Sequence, residues 1–456
     1  MKLVARTRRL DLEVDLITLA GESGLLWQRG RSGFAGRGTA LEVPVVAGNP
    51  TAAALAAHTV LDTIEVDDEL GLPGTGPVAL GALPFDPALD GTIVVPQLLV
   101  GRGEDGTRWV TTVSSPDDPS FGRDPHEILD EVLGGIVATV DAGHVEPGCY
   151  TISSPRAAED WCAAVAAARD ELRAGAAQKV VLAREVVVET DQPLCRADVL
   201  AALRRAYPSC MLFAVDGFVG ASPELLVART GDLVRSHPMA GTAPRSADPN
   251  TDARLAANLL SSAKDQVEHR YTIDMVHDTL LPWCSYLDEE AEPSIVAMAN
   301  VQHLATLVEG RLSTPPASAL ELMRALHPTP AVNGSPRRTA LELIERYEGI
   351  DRARYAGPVG WVDAQGNGEW AVGIRSAEID GSTARVFAGV GVVADSDPDL
   401  ELAETRAKLQ AVLNAILRPL PRDPFLGVPL CVGSGWRSAP GRAFSRRLRS
   451  IRRGRR

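Results

Sequence analysis

The chain has 456 residues, a formal net charge of −13 and 45% hydrophobic residues, which is an ordinary composition for a soluble globular protein. The acidic balance argues against nucleic acid as the main partner, because nucleic-acid-binding surfaces are basic. Nowhere does the sequence approach the roughly 20 uninterrupted apolar residues of a membrane span. Its six cysteines have no C-x-x-C spacing, which favours free thiols in the cytoplasm over disulfides or a zinc site.

The first third of the chain, residues 1–150, alternates short apolar runs with glycine and proline. Residues 51–65 ("TAAALAAHTVLDTIE") have the composition of a helix. Residues 91–113 ("GTIVVPQLLVGRGEDGTRWVTTV") predict two strands joined by a turn at "GEDG". This region therefore reads as a mixture of short strands and helices.

The pattern becomes clearer from residue 151 onward. Residues 153–175 predict a helix that begins at a Ser-Pro pair and ends at a glycine. Residues 179–190 ("KVVLAREVVVET") are rich in β-branched side chains and predict a strand. Residues 211–239 predict successive antiparallel strands with turns at "DG" and "TGD", and residues 252–282 predict one long helix.

The C-terminal part continues with strands and a closing helix. Residues 356–393 predict three or four strands with hairpin turns, and residues 398–417 predict the helix. Because the strands come mostly in hairpins and do not alternate with helices, the order predicts an α+β fold with antiparallel sheets. The last twenty residues carry nine arginines and no acid, so we interpret residues 421–456 as a basic, disordered tail. Contact with nucleic acid or an anionic membrane is the alternative for the tail.

Two helical segments carry charged residues at helical spacing. Lys264 and Glu268 are four residues apart, and Glu401, Glu404 and Lys408 follow one stripe of the closing helix. Spacing alone favours ordinary surface ion pairs for both. A carboxylate stripe from each of two helices could instead hold Mg²⁺, which prefers oxygen ligands and keeps part of its hydration shell.

Two further residues are candidates for proton transfer. Lys179 precedes the apolar run "VVL", where loss of solvation would lower its pKa and make it a competent general base. A lysine at a strand end more often extends into solvent. Glu224 in "GASPELLVA" precedes apolar residues, and a carboxyl in an apolar wall has a raised pKa and can act as a general acid near pH 7. A surface glutamate at a turn is the alternative.

Nine segments in order carry a family resemblance: "KVVLAR", "FVGASPELL", "PMAGTAPR", "SAKDQVEH", "VQHLAT", "LHPTPAVNGSP", "YAGPVGWVDAQGNGEWAVGIR", "FAGVGVV" and "AETRAKL". Together they resemble the chorismate-utilising enzymes, and isochorismate synthases in particular, from about residue 155 to about 420. The resemblance implies a single large domain of packed antiparallel sheets with peripheral helices and a deep pocket between them. Residues 1–150 would be its divergent N-terminal part and residues 151–420 its chorismate-binding catalytic region.

The resemblance also implies roles for the candidate residues. Mg²⁺ would be held by Glu268 and Glu404, with Glu401 acting through water, and would bind the ring carboxylate of chorismate. Lys179 would activate the water that attacks C2, and Glu224 would protonate the departing C4 hydroxyl. The double bonds would then shift to give isochorismate.

A second set of residues would bind the substrate. Arg375 and Lys408 would supply positive charge for a dicarboxylate, and the fork of Arg375 suits bidentate binding. His303 would hydrogen-bond near the departing hydroxyl, and backbone donors at glycines would allow a close approach. The full implied set is Gly241, Thr242, His303, Ala331, Tyr355, Arg375, Gly389, Gly391 and Lys408.

The resemblance separates this chain from other members of the family. Ala240 stands where aminodeoxychorismate synthases tend to place a lysine nucleophile. Lys179 favours water over ammonia, so no glutaminase subunit is expected. A monomer is the default, because the sequence shows no obvious interaction segment. Residues 325–336 ("ALHPTPAVNGSP") resemble the isochorismate synthase version, in which prolines would form a rigid apolar wall. We hypothesise that Ala331 slows pyruvate elimination, although Tyr355 also occurs in members that continue to salicylate.

Three functions therefore stay open at this point. The first is a Mg²⁺-dependent isochorismate synthase that serves menaquinone or siderophore biosynthesis. The second is a salicylate synthase, which would form isochorismate and then release pyruvate. The third is a non-catalytic chorismate-binding regulator, which the presence of all the implied catalytic residues disfavours.

Overall fold

The computed structural model describes residues 2–140 and 147–417, without the side chains of Pro50, Lys264 and residues 137–140. The arginine-rich tail predicted for residues 421–456 lies outside the described residues. The predicted α+β class with packed antiparallel sheets is confirmed. Within the described ranges, every strand pairing is antiparallel except that of the first strand with the fifth.

The described strands are β1 (Val4–Arg9), β2 (Leu25–Arg29), β3 (Ser32–Arg37), β4 (Leu41–Val45), β5 (Glu65–Asp68), β6 (Val78–Ala82), β7 (Gly91–Val95), β8 (Leu98–Arg102), β9 (Arg108–Ser114), β10 (Tyr150–Ser153), β11 (Lys179–Thr190), β12 (Met211–Val215), β13 (Phe218–Ser222), β14 (Leu225–Thr230), β15 (Leu233–His237), β16 (Met239–Pro244), β17 (Cys284–Glu289), β18 (Ser294–Ala297), β19 (Val301–Ala305), β20 (Val308–Leu312), β21 (Gly334–Ser335), β22 (Pro358–Asp363), β23 (Gly368–Val372), β24 (Ser376–Asp380) and β25 (Thr383–Val392). The helices are α1 (Leu16–Ala20), α2 (Pro50–Asp62), α3 (Pro125–Val140), α4 (Ala158–Arg173), α5 (Arg196–Ala206), α6 (Pro249–Ser261), α7 (Ala263–Leu280), α8 (Ala319–Leu326), α9 (Arg337–Tyr347) and α10 (Pro398–Leu417), with a 3-10 turn at Leu281–Trp283.

Three sheets organise these strands. The largest has the order β10-β11-β25-β24-β13-β12-β2-β3-β8-β9-β1-β5, and β21 pairs with β11 at its side. The second has the order β17-β20-β15-β14-β23-β22-β6-β7-β4, and the third is β16-β19-β18. Both large sheets mix strands from the first 150 residues with later strands, since β12 pairs with β2 and β22 pairs with β6. The predicted boundaries at residues 150 and 420 stay predictions.

The two large sheets pack against each other through aromatic side chains. Phe34 of the largest sheet lies edge-on to Trp361 of the second, with ring centroids 4.8 Å apart. Trp109 contacts the same phenylalanine at 5.9 Å. Edge-to-face aromatic pairs of this kind stabilise a core beyond their buried area.

Helix α8 begins and ends where its local sequence predicts, and it leads into the loop that contains Ala331. Its "S-x-x-E" start is a capping-box pattern, and the Ser318 hydroxyl accepts a hydrogen bond from the Glu321 backbone amide. Leu322, Met323 and Leu326 are buried on one face. The helix ends before Pro328, and the loop that follows runs from residue 327 to residue 336.

Several sequence predictions are confirmed in detail, because their patterns were strong. The strand predicted at residues 179–190 and the helix predicted at residues 398–417 have those bounds. Residues 356–393 contain the four strands β22–β25. None of the helices in the described ranges has the length and apolar content required to cross a bilayer. The five cysteines of the described part are free thiols.

Three predictions of element bounds are wrong. Residues 91–113 form three strands, because Pro96 cannot continue the hydrogen-bond ladder and the chain passes there from the second sheet to the largest. The helix predicted from residue 153 begins at Ala158, since residues 150–153 pair with β11 as a strand.

The third error concerns the single helix predicted for residues 252–282. Ser262 has an extended backbone (φ −71°, ψ 110°), and its hydroxyl accepts a hydrogen bond from the Asp265 amide. This serine caps a new helix, so the segment consists of α6 and α7.

Candidate active site

Every residue implied for the site lies on the lining of one cavity of about 340 Å³. It lies between β11 and β25 of the largest sheet, the third sheet, and helices α7 and α10. The sequence-predicted residues on its lining are Lys179, Glu224, Gly241, Thr242, Glu268, His303, Ala331, Tyr355, Arg375, Gly389, Gly391, Glu401, Glu404 and Lys408.

Lys179 begins β11 and is buried, with 1% of its side chain exposed. Its Nζ lies 2.8 Å from Oε1 of Glu268 on α7. Gly391 of β25 makes this contact sterically possible, because a Cβ there would lie 2.7 Å from Lys179 Cε and 2.9 Å from the Glu268 oxygen. The lysine therefore does not extend into solvent. The side chain of Lys264, the expected surface partner of Glu268, lies outside the described residues.

Glu224 lies between β13 and β14 and is 3% exposed. Its backbone amide donates to the hydroxyl of Ser222, and its carbonyl accepts from the amide of Val372, so its position is fixed. Burial raises the pKa of its carboxyl to about 7, against opposing effects of the Met239 amide and two lysines. The surface-turn alternative is wrong, and this carboxyl keeps its proton up to near neutral pH.

Helix α10 presents its charged stripe to the cavity. Asp397 accepts hydrogen bonds from two backbone amides of the first turn and so fixes the start of the helix. Glu404 Oε1 lies 2.7 Å from Lys408 Nζ, as the spacing predicts. Lys408 also donates to the carbonyl of Gly389 at 3.0 Å, which ties α10 to β25. Glu401, one turn earlier, is buried.

The acidic residues fit a divalent metal by their donor chemistry. Glu268 from α7 and Glu404 from α10 present carboxylate oxygens to one cavity, and Mg²⁺ binds through one or two carboxylates together with water and substrate oxygens. Over the described ranges, no three His, Cys, Asp or Glu side chains lie close enough to form a complete metal site. The protein would therefore supply part of the coordination shell.

His303 and Arg375 form a buried polar chain on the cavity wall. Arg375 Nη2 lies 3.3 Å from His303 Nε2, and because arginine can only donate, this nitrogen is the acceptor. His303 Nδ1 then carries the proton and donates to the carbonyl of Gly241 at 3.1 Å. Burial, together with Arg375 and Lys408, lowers the pKa of His303 to about 3, so the imidazole is neutral. Its expected contact with the departing hydroxyl stays a prediction.

Another part of the lining carries apolar and aromatic side chains. Tyr355 stacks on Phe387 with ring centroids 5.2 Å apart, and burial raises its pKa to about 12, so the phenol stays protonated. The loop of residues 327–336, the wall loop, places Ala331 and Val332 on the lining. Its backbone is held to β11, because the Val181 amide donates to the Asn333 carbonyl at 2.8 Å.

The lining also includes residues that the sequence analysis did not assign to the site; four that could contact a ligand through a charged or aromatic side chain are Asp265, Arg352, Phe387 and Asp395. For Arg352 the sequence offers one signal, the four-residue spacing from Glu348, which looks like any helical surface pair. The other three have no signal beyond their position within or beside the resembling segments.

Comparison with known proteins assigns the fold and site to a class. Residues 17–417 match the family described as chorismate binding enzyme. The chain belongs to this family.

Two relatives of the chain are isochorismate synthases from one organism. The chain is 33% identical to isochorismate synthase MenF of Bacillus subtilis over 371 residues, which cover 77% of each protein. It is 38% identical to isochorismate synthase DhbC of the same organism over 351 residues, which cover 75% of this chain and 81% of that one.

Solved structures support the fold. The menaquinone-specific isochorismate synthase MenF of Escherichia coli superposes with a TM-score of 0.74 at 24% identity, covering 91% of this chain and 94% of that one. Anthranilate synthase component I of Streptococcus pneumoniae gives 0.64 at 22% identity, covering 89% and 92%. Because both structures share this fold, the fold alone does not identify the reaction.

Proposed function

We propose that the protein is an isochorismate synthase that converts chorismate to isochorismate with Mg²⁺. The observation that carries this proposal is the placement of an amine and a protonated carboxyl on one cavity. Lys179 and Glu224 are both buried there, and the pKa of the carboxyl is raised to about 7. A general acid needs such a pKa to hold a proton at the working pH.

In the proposed reaction, Lys179 in its neutral form accepts a proton from water at Nζ as the water oxygen attacks C2. Glu224 gives its proton to the C4 hydroxyl, which leaves as water while the ring double bonds shift. One proton is taken up and one is released, so the step is balanced. Water as nucleophile needs no glutaminase subunit, and we propose a monomeric cytoplasmic enzyme.

The charges of the cavity suit a dicarboxylate substrate. Arg375 is buried, and its Nε has no hydrogen-bond partner within the described residues, so it can donate to a substrate carboxylate. Glu268 and Glu404, with Glu401 acting through water, would hold Mg²⁺. When bound, the ion would neutralise and orient the ring carboxylate.

The test is incubation of the purified full-length protein with chorismate and Mg²⁺, followed by chromatography of the products. We expect isochorismate. Release of salicylate and pyruvate without an added lyase would instead establish a salicylate synthase. Tyr355 is the residue that supports this second candidate, because it also occurs in family members that continue to salicylate. Absence of turnover at saturating Mg²⁺ would favour a non-catalytic chorismate-binding protein.

The pathway is proposed only as a pair of alternatives. The relatives are an isochorismate synthase named MenF and another named DhbC at similar identity. We therefore propose menaquinone or siderophore biosynthesis, and the genes beside this one would distinguish the two.

A further inference from the structure

The strand that carries Lys179 is hydrogen-bonded differently along its two edges. One edge of β11 pairs with β25 without interruption from Val180 to Glu189. On the other edge, β21 pairs only with the first two residues, and β10 pairs only from Val187 onward. The backbone between these two partners, residues 181–186, must find its hydrogen bonds elsewhere.

The Val181 amide donates to the Asn333 carbonyl, and Nε1 of Trp161 donates to the Ala183 carbonyl. A buried ion pair supplies two further hydrogen bonds. Oε2 of Glu348 accepts from the Ala183 amide at 2.7 Å, and Nη2 of Arg352 donates to the Val181 carbonyl at 2.8 Å. The two side chains are 2.6 Å apart and are 1% and 4% exposed. Side chains here replace a strand at the edge of β11.

The same pair reaches the wall loop. Nη1 of Arg352 donates to the Val332 carbonyl at 2.9 Å, next to Ala331. The guanidinium also lies over the ring of Phe85, 4.1 Å from its centroid. One arginine therefore joins the strand of the proposed base to the loop that faces the substrate ring.

Stability alone is a weak reason for such a pair. Removing two charges from water costs free energy, and their mutual attraction often does not offset this cost. Proteins in which apolar residues of similar size replace such a pair are frequently as stable as the original. What apolar residues cannot do is bond the strand and the wall loop at the same time. Residues 333–335 of the wall loop already bond to β11 through their backbone. We propose that Glu348 and Arg352 are positioning residues that hold the part of the loop at Ala331 and Val332, which this backbone pairing does not reach, at a fixed distance from Lys179.

This inference rests on the proposed function, because it gives the pair a task in the proposed reaction. If it holds, loosening the pair displaces the base from the substrate while leaving the binding groups in place. A misplacement of about 1 Å can cost about 100-fold in rate. The effect should therefore fall on kcat and spare KM.

The chain provides a control pair of the same residue types, although its side chains are more exposed, at 22% and 15%. Arg354 pairs with Glu378, donates to the carbonyls of Val215 and Asp216 at 3.0 and 2.9 Å, and lies over the ring of Phe218 at 5.3 Å. Neither residue of this pair lines the cavity. It has the same kinds of contact without touching β11 or the wall loop.

The experiment compares Arg352→Lys with Arg354→Lys, and Glu348→Asp with Glu378→Asp, in the full-length protein. Each change keeps the charge and removes part of the geometry. Measurements are kcat and KM for chorismate, the midpoint of thermal unfolding, and hydrogen exchange of residues 179–185 and 327–336. The aspartate variants provide a second route if a lysine variant fails to fold.

We expect the Arg352 and Glu348 variants to lose about 10- to 100-fold in kcat, with KM within about threefold of wild type. Their hydrogen exchange should accelerate in both segments. The Arg354 and Glu378 variants should keep kcat and the exchange of these segments, even where they lose as much thermal stability.

Equal losses of kcat in both pairs at equal stability would overturn the inference, as would unchanged exchange in the Arg352 and Glu348 variants. If the wild type makes no isochorismate, the proposed function fails. The exchange comparison then still decides whether the pair holds the strand to the loop.

Discussion

The two sides of the cavity place their charged groups in different surroundings. On the sheet side, Lys179 and Glu224 are 1% and 3% exposed. On the helix side, the side chains of Glu268 and Glu404 are 15% and 31% exposed. Burial raises the pKa of the Glu224 carboxyl and keeps bulk water away from both groups, whereas partial exposure allows an ion and its water shell to enter. We therefore expect proton transfer at Lys179 and Glu224 and ion binding at Glu268 and Glu404.

Removing the buried amine should give the largest effect. Lys179→Ala should lower kcat by about 10²- to 10⁴-fold, since it removes the proposed general base, and should leave KM for chorismate nearly unchanged. Lys2, exposed and 2.8 Å from Glu65, provides the control. Steady-state kinetics of both alanine variants is the measurement. Near-native turnover by Lys179→Ala would mean that the base is another group.

On the helix side, loss of a carboxylate should act through the ion. Even the loss of an outer-shell partner weakens metal binding by about 10- to 100-fold. Glu404→Ala should therefore raise the Mg²⁺ concentration that gives half-maximal activity by at least about tenfold. Affinity for chorismate should fall with it. Asp274→Ala is the control, because that aspartate is on α7 but pairs with Arg270 away from the cavity. Calorimetric Mg²⁺ titration that gives equal affinities for both variants would contradict the metal assignment.

A smaller effect is expected at the wall loop. Ala331→Thr should raise the ratio of salicylate and pyruvate to isochorismate by about fivefold, because one hydrogen bond donated by the added hydroxyl contributes about 1 kcal/mol. Ala331→Val is the control, because valine has the shape of threonine without the hydroxyl, and it should keep the wild-type ratio. If both variants change the ratio equally, bulk and not hydrogen bonding determines the product.

The last effect concerns the stability of the fold and not catalysis. Because the folded pKa of Glu224, about 7, exceeds its ordinary value, its neutral form stabilises the fold at low pH, and this contribution is lost as the pH rises through 7. Glu224→Gln cannot ionise, so its free energy of unfolding relative to wild type should increase between pH 5.5 and 8.5. Between these two pH values the increase is at most about 2 kcal/mol, because the folded pKa lies only about 1.5 units above pH 5.5. Denaturant titration at both pH values measures it, and an unchanged difference would place the carboxyl's pKa elsewhere.

Sequence patterns predicted individual elements better than their assembly. β11 and α10 were predicted to the residue because β-branched runs and helical stripes are strong local signals. The break at Ser262 was missed because no glycine or proline marks it. Spacing alone favoured surface ion pairs for Glu268 and Glu404. Their placement in one cavity was expected only from the family resemblance.

The Glu348–Arg352 pair shows why the rest could not be predicted. A spacing of four residues says that two side chains can meet, but it carries no information on burial. Both residues are buried because the chain after α9 passes beside an unpaired stretch of β11. That contact depends on tertiary structure and has no local signature.

The mixing of early and late strands in both large sheets has a consequence for dissecting the protein. A fragment that began at residue 151 would lose the neighbours of β12 and β22, and it would present two long rows of unsatisfied amide and carbonyl groups. Such edges recruit other chains. The half of the polypeptide that holds every proposed catalytic group would then aggregate when expressed by itself.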